Sequence, residues 1–453
     1  MIKYEDYIAE MNNRLKNYIP NKLNHGEESV FKPHDLFDMP DKEANEYKFK
    51  AIKYAFKLHY EKNSFYKKYC KEKNVTPDDI KSIDDFIKIP LLPDKFFKTY
   101  PSGNEFAMWL ATIYTGDLPN ITIKKNYGYD EIINKFNEAG LVISYSSGTS
   151  GRHTFIPRDL RTFNASEYAI AKSAIGMAYP IWEYEMNGYL FMPNPLKTNV
   201  FAGKVCKVFF DAIKSVEVAL DREISAEVIQ EAMKNSLKGR IIRYAVQRET
   251  NKLVNRVIEW LRKKEKEKKK IALVGLPFLI NFVIEELEER GEGFDFGENG
   301  AVLTGGGWKI YEGKRMPVKE FREKAEKFLG IPPENCLDLY GMVEGNGWMV
   351  HCREGHYLHI PKSYYHVMVL DENGEEVGYG EKGRFAFLDG LAFSYPGFII
   401  SGDEVKMLEE CPVCERNSQV LEPEVNRARG EEMRGCAEEM RRVFAMDMGG
   451  GDV

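Results

Sequence analysis

The chain has 453 residues, 43% hydrophobic and 30% charged. That mix excludes a disordered chain and predicts two or three domains with a substantial core. Sixty-four Lys and Arg against 70 Asp and Glu leave a formal charge of −6, which excludes a broad nucleic-acid footprint but not a small basic pocket for phosphate.

Residues 1–100 read as helical. Lys42 to Tyr66 carries apolar residues at helical spacing, and Thr76 to Asp84 reads as a capped turn into a short helix. Ile89-Pro90-Leu91-Leu92-Pro93 stops that pattern with a rigid apolar segment, expected to pack the helices onto the next layer. From residue 120 the pattern becomes α/β. Tyr127 to Ala139 is amphipathic, Leu141 to Tyr145 is a strand, Phe163 to Met177 a helix, and Tyr189 to Met192 a strand. Ile224 to Arg243 and Asn251 to Lys270 are predicted as two helices, with Lys263 to Lys270 as a solvated C-terminal end. Ile271 to Leu276 is a buried strand, and Pro277 opens a helix through Arg290. Ala301 to Thr304 is a strand running into Gly305-Gly306-Gly307, and Asn335 to Leu339 one running into Tyr340-Gly341. Strand, glycine turn and helix in repetition describe an α/β fold with ligand loops beyond its strand ends. After Tyr364 the pattern is β: His366 to Leu370, a turn at Asp371 to Gly374, Arg384 to Leu388 and Val405 to Leu408. A charged helix is expected over Glu431 to Phe444.

The sharpest local signal is Ser146-Ser147-Gly148-Thr149-Ser150-Gly151 after the strand Leu141 to Tyr145. Glycines permit close backbone approach, and the N–H groups and hydroxyls can donate to phosphate oxygens. Arg152 and His153 add local positive charge. A flexible Ser/Gly linker fits poorly between a strand and Ile156-Pro157, and the loop is not a Walker motif, because no lysine follows Gly151.

On this loop the chain resembles the adenylate-forming enzyme superfamily, closest to the acyl-protein synthetases of bacterial bioluminescence and the phenylacetate-CoA-ligase-like group. Three further segments stand in that family's order. Gly305-Gly306-Gly307-Trp308 is similar to the segment lining the adenine and acyl pocket. Tyr340-Gly341-Met342-Val343-Glu344 is similar to the tyrosine, glycine and magnesium-side glutamate segment, with Val343 in place of the usual Thr or Ser. Ser401-Gly402-Asp403 resembles the segment whose aspartate holds the ribose hydroxyls. The resemblance spans roughly residues 89–436 and implies an adenylate-forming α/β fold: a helical N-terminal region at 1–100, a layered α/β nucleotide-binding core at 101–363, a β-rich subdomain at 364–410 and a shortened C-terminal segment at 411–453. It implies ATP and Mg²⁺ as cofactors and a carboxylic acid, a fatty acid in the synthetases, as substrate. Loop 146–151 would hold the leaving phosphates, Glu344 magnesium and Asp403 the ribose, with Tyr340 beside the base. Each of Glu344 and Asp403 taken alone also suits an ordinary turn or cap.

The seven cysteines, Cys70, Cys206, Cys336, Cys352, Cys411, Cys414 and Cys436, are odd in number and sparse, so no disulfide framework is expected. With no apolar run of bilayer length and no signal-peptide core after Met1 to Arg14, the cytoplasm is the expected location. Cys411-Pro412-Val413-Cys414 is a two-residue-spaced pair, and Cys352 with His356 or His359 can complete a four-ligand zinc site. Buried thiols are the alternative. The phenylacetate-CoA-ligase-like resemblance favours zinc, and within it His359-Ile360-Pro361 favours His359. Cys436 follows Gly435 near the cation Arg434, a setting that raises the thiolate fraction. It matches the position of the acyl-carrying cysteine of the synthetases; the alternative is a small buried residue on a helix. Arg427 resembles the family's hinge region, whose usual aspartate is absent. Only fifty residues follow Asp403, fewer than a CoA ligase uses for its lid. The expected activity is therefore an ATP-dependent acyl-protein synthetase, its acyl acceptor a cysteine thiol of this chain or of a partner protein. A CoA ligase is the alternative, and a degenerate nucleotide-binding scaffold a reading from another class.

Overall fold

The computed structural model describes residues 2–146, 152–221, 228, 231–232, 236–307, 315–355, 357–423 and 425–428. Helix Asp41–Lys62 buries Ala44, Ala51, Ile52, Ala55, Phe56 and His59, the three-and-four spacing of one apolar stripe. The continuous helix predicted through Tyr66 breaks at Asn63. Its side-chain oxygen accepts from the Tyr66 N–H at 2.8 Å to cap helix Ser64–Glu72, as asparagine commonly does. Its amide donates to the Ile113 and Tyr114 carbonyls at 3.1 and 3.3 Å, closing the end of helix Asn104–Ile113. The proline segment does join two layers: Tyr66 and Tyr69 donate to the Pro90 and Leu91 carbonyls at 2.8 and 3.3 Å.

The strands, in chain order, are β1 (Leu92–Pro93), β2 (Leu141–Tyr145), β3 (Phe155–Asp159), β4 (Asn187–Pro193), β5 (Ser215–Leu220), β6 (Ile271–Gly275), β7 (Gly300–Gly305), β8 (Cys336–Tyr340), β9 (Met349–His351), β10 (Leu358–His359), β11 (Tyr365–Leu370), β12 (Lys382–Asp389), β13 (Phe398–Leu408), β14 (Val420–Leu421) and β15 (Asn426–Arg427). One large sheet runs β11-β12-β13-β14-β10-β9-β8-β7-β6-β4-β5. It is parallel from β5 to β8 and antiparallel from β8 to β11. This is a mixed α/β architecture, as the sequence pattern predicts. Side chains along the parallel strands alternate between two cores: Leu190, Met192, Ala272 and Val274 face one, while Tyr189, Phe191, Ile271 and Leu273 face the other, as a two-residue period requires.

Helix Leu237–Lys266 is continuous, where the sequence suggested a break between Arg243 and Asn251. Ser236 caps it, accepting from the Gly239 N–H at 2.9 Å. Leu253, Val254, Val257, Ile258 and Leu261 bury its C-terminal half, and that packing carries the helix through the polar stretch. Lys263, Lys264 and Lys266 occupy its last turn, where cations complement the helix dipole. The expected stretch Val405 to Leu408 is the end of an eleven-residue strand, β13. Gly402 weakens its strand signal, but pairing with β1, β12, β14 and β15 supplies its hydrogen bonds.

β2 and β3 form a separate hairpin in register Tyr145↔Phe155. Arg158 on β3 is fully buried beneath it. It donates to Ser144 Oγ at 3.1 Å, the Val343 carbonyl at 2.6 Å and Tyr395 Oη at 3.0 Å. Replacing Arg158 by Met leaves three acceptors short of a charge-assisted donor and should cost about 2–4 kcal/mol, measured by urea unfolding. An unchanged midpoint at equal slope contradicts this role.

Candidate active site

The hairpin, the ends of β7 and β8 and the middle of β13 surround a cleft of about 1830 Å³. β13 presents Asp403, 9% exposed. Tyr340, the last residue of β8, donates its hydroxyl to Asp403 Oδ2 at 2.6 Å, and Arg427 on β15 pairs with Asp403 Oδ1 at 3.0 Å. The cross-strand register Asp403↔Arg427 sets that pair. Asp403 is thus held from both sides, its own N–H donating to Ser401 Oγ at 3.1 Å. Burial, then the adjacent Asp403 carboxylate, keeps the Tyr340 phenol protonated, well above its ordinary range.

Glu344 lines the same cleft at 6% exposure. Burial raises its carboxyl above the ordinary value; Lys98 opposes the shift and Asp94 adds to it, while the Thr154 hydroxyl bonds to it. Lys98 Nζ lies 2.5 Å from Asp94 Oδ2, and Asp94 is anchored through its N–H to the Ile400 carbonyl on β13 at 3.0 Å. At the root of the glycine loop, Ser146 Oγ accepts from the Thr154 N–H at 2.9 Å and the His153 ring bonds to the Ser146 carbonyl at 2.6 Å. These bonds pin both ends of the hairpin tip; Ser147, Gly148, Thr149, Ser150 and Gly151 lie outside the described residues.

Gly305, Gly306 and Gly307 line the cleft after β7. Gly306 and Gly307 take φ of 80° and 68°, the left-handed region glycine enters without cost. At Gly341 the constraint is close approach: an added Cβ would stand 2.7 Å from the Trp348 ring. Ile170, Met192, Phe201, Cys206, Phe209 and Trp348 give the cleft an apolar wall. Next to the glycines, Thr304 donates to Asp338 Oδ1 at 2.5 Å. Burial pushes the Asp338 carboxyl up to about 6 against that bond.

On the antiparallel side, Cys352, His359, Cys411 and Cys414 bring one ligand atom each to within 4.8 Å of all the others. Cys352 and Cys411 sulfurs are 3.9 Å apart, and Cys414 Sγ is 3.3 Å from His359 Nε2. A tetrahedron with 2.3 Å metal–sulfur bonds has edges of about 3.8 Å, so the donor set fits a closed structural metal site. Ser418 Oγ bonds to His359 Nδ1 at 2.6 Å, orienting the ring as outer-shell partners of metal ligands do. The structure thus brings His359 to the cysteines; His356 lies outside the described residues. Bonding to Cys352, then to His359, holds the Cys414 thiol well below its ordinary value.

Residues 232–445 match the family of the acyl-protein synthetase LuxE. Two long-chain-fatty-acid–luciferin-component ligases are related along most of the chain. That of Vibrio harveyi is 23% identical over 407 residues, 89% of this chain and 89% of its own; that of Aliivibrio fischeri is 23% identical over 406, covering 89% and 90%. The chain is thus homologous to LuxE-type long-chain-fatty-acid ligases, with the family match itself confined to residues 232–445. An open-conformation crystal structure of 2-hydroxyisobutyryl-CoA ligase superposes on 90% of this chain and 74% of its own, with a TM-score of 0.57 at 14% identity, which shows a shared fold. By this homology the chain is an adenylate-forming ligase, and the family match extends across Cys436 and Trp308, which lie outside the described residues. Among the described residues no helix is long and apolar enough to cross a membrane.

Of the residues singled out in the sequence, Ser146, Gly305, Gly306, Gly307, Tyr340, Gly341, Glu344, Asp403 and Arg427 line one cleft. Sequence reasoning missed Asp94, Lys98, Thr154, Arg158 and Asp338. The signal for the first two lay directly after the proline segment, in Asp94-Lys95-Phe96-Phe97-Lys98: two polar ends, four residues apart, around an aromatic pair. Nothing in the local pattern marked the other three.

Two outcomes follow from this geometry. Elemental analysis of the metal-replete protein should give about one metal ion per chain, the stoichiometry of a single four-ligand site, and replacing Cys411 and Cys414 by Ser should release it and lower stability. Metal-free protein of undiminished stability contradicts the site. Glu344 supplies a pH test. Because its folded carboxyl is raised, the unfolded chain ionises first, and stability falls as pH rises from about 4.3 to the folded value. Glu344→Gln escapes that penalty, so its thermal midpoint should exceed the wild type's at pH 8 and converge with it below pH 4.

Proposed function

We propose that this protein activates a fatty acid with ATP as acyl-AMP and transfers the acyl group to the thiol of Cys436. What supports adenylation is one observation: Tyr340, Asp403 and Arg427 form a bonded set in the same cleft as Glu344 and the glycines 305–307. A carboxylate oxygen attacks the α-phosphorus, and the bond to the β-phosphate breaks as pyrophosphate leaves with the electron pair. The work of the site is positioning and charge neutralisation. Asp403, already oriented by Tyr340 and Arg427, accepts hydrogen bonds from the two ribose hydroxyls. Tyr340 and Gly341 pack beside the base, with Gly305, Gly306 and Gly307 on the adenine and acyl side. Ser146, Ser147, Gly148, Thr149, Ser150 and Gly151 hold the phosphates. Glu344 holds magnesium; its buried carboxylate suits a cation that takes one or two carboxylates and completes its shell with phosphates and water. Bound Mg²⁺ neutralises phosphate oxygens. The apolar wall from Ile170 to Trp348 suits an acyl chain.

In the second half-reaction the Cys436 thiolate attacks the acyl carbonyl, and AMP leaves as the thioester forms. Arg427, seven residues after Val420 of β14 and nine before Cys436, ties the start of that segment to Asp403. Zinc is the metal we assign to Cys352, His359, Cys411 and Cys414: three thiolates and one imidazole are a structural zinc set. It would clamp the segment after β13 against β9 and β10.

Purified protein should exchange labelled pyrophosphate into ATP when given a fatty acid and Mg²⁺. Incubation with ATP and the acid should add a hydroxylamine-sensitive acyl mass to the wild type and none to Cys436→Ser, which keeps exchange because the thiol acts after adenylation. Rapid release of a CoA thioester with no adduct on the protein makes CoA the acceptor. Failure of both exchange and nucleotide binding across a carboxylate panel overturns the enzyme reading in favour of a nucleotide-binding scaffold.

A further inference from the structure

The cleft holds a charged group that the sequence did not single out. Lys98 stands on the short helical turn Phe96–Lys98, directly after β1, and lines the cleft with Asp94, Thr154 and Glu344. Its side chain is 19% exposed and that of Asp94 12%, so the pair sits in a poorly solvated wall and not on open surface. Three features fix it in place. The Asp94 N–H is bonded to β13 at Ile400, Phe97 N–H donates to the Asp94 carbonyl at 3.2 Å, and Arg152 donates to the Lys98 carbonyl at 3.2 Å. An added Cβ at Gly402, the residue before Asp403, would lie 3.4 Å from Asp94 Oδ2. The Asp94–Lys98 pair therefore touches the strand segment that carries Asp403, while its charge acts on Glu344.

We infer that Lys98 is a catalytic residue of adenylation, a cation that meets the oxygens of the α- and β-phosphates as their bond breaks. This rests on the adenylation reading above. Negative charge grows on the bridging oxygen and on the departing pyrophosphate, and a preorganised ammonium in a low-dielectric wall stabilises it more than water does. Lysine binds phosphate as a point charge with three rotatable donors, so Lys98 can keep one bond to Asp94 while turning the others to phosphate oxygens. No proton changes hands: the carboxylate oxygen forms the new P–O bond, and pyrophosphate takes the electron pair of the old one. Asp94 is the positioning residue. It holds the ammonium at the wall while no phosphate is present and offsets part of the charge it brings beside Glu344.

The test is fatty-acid-dependent ATP–pyrophosphate exchange by the full chain, comparing wild type with Lys98→Gln, Lys98→Arg and the double variant Asp94→Asn/Lys98→Gln. Lys98→Gln should lose about 10²–10³-fold in turnover, the effect of removing one preorganised transition-state donor. Its KM for pyrophosphate should rise, with the KM for the fatty acid unchanged. Lys98→Arg should recover part of the rate. The double variant should stay as slow as Lys98→Gln, because removing the unpaired carboxylate does not restore a cation. Inorganic pyrophosphate binding followed by calorimetry gives a readout independent of turnover and should weaken in Lys98→Gln and in the double variant, and less in Lys98→Arg. Recovery in the double variant would overturn the proposal, since it assigns Lys98 only to neutralising Asp94. A raised fatty-acid KM with unchanged pyrophosphate KM would overturn it in favour of a carboxylate-binding lysine. Wild-type protein that exchanges no pyrophosphate would instead sink the adenylation reading itself, whereas active wild type with equally active Lys98→Gln would sink only this inference.

Discussion

A guanidinium cannot be taken out of water unless its donors find acceptors, and Arg158 is taken out of water completely. Its acceptors come from three parts of the chain: Ser144 across the hairpin, the Val343 carbonyl after β8, and Tyr395 ahead of β13. Phe201 and Tyr395 lie under its plane, at 4.6 and 5.0 Å. The bonds from its two terminal nitrogens fix the hairpin that bears the glycine loop against the segment that bears Tyr340 and Glu344. Tyr395 extends the network by donating to the Glu344 carbonyl at 3.0 Å. The backbone on which Glu344 stands is therefore set by a charge that never reaches the cleft.

The second organising element is β13. Its eleven residues pair with β12 along their length, with β1 near the start, β15 in the middle and β14 at the end. Each partner delivers something different to the site. β1 leads to Asp94 and Lys98, β15 brings Arg427 to Asp403, and β14 carries the chain back beside β10, where His359 lies among the cysteines. Two centres with different chemistry are thus fastened to one strand. The cleft is lined by carboxylates, glycines and cations; the other centre gathers three thiols and an imidazole, the donor count of a closed structural metal site.

Burial sets the electrostatics of the cleft. Asp338, Glu344 and Tyr340 are all shifted toward their neutral forms chiefly by burial, which is costly for a structure that holds no compensating charge nearby. Lys98 opposes the shift at Glu344, Arg427 that at Tyr340, and the Thr304 bond that at Asp338. A site built this way interacts more strongly with a charged ligand than a solvated one does, because the same low dielectric strengthens each attraction.

Much of this was legible along the chain. The α/β pattern, the glycine loop, Gly305–Gly307, Tyr340-Gly341 with Glu344, Asp403 and the cysteine pair are local signals, because glycine conformations, hydroxyl spacing and ligand spacing are written in adjacent residues. Ligand chemistry also let the sequence join Cys352 and one of His356 and His359 to the pair, more than fifty residues on, and the structure gathers His359 there. Only the tertiary structure decided that β13 runs eleven residues, since its hydrogen bonds come from four other strands; that Asn63 ends a helix, since its amide serves another helix's carbonyls; and that Arg158 holds the hairpin beneath the cleft. The physical reason is common to all of these. A buried polar group is explained by its partners, and those partners stand from 14 to 237 positions away for Arg158, a separation no local pattern records.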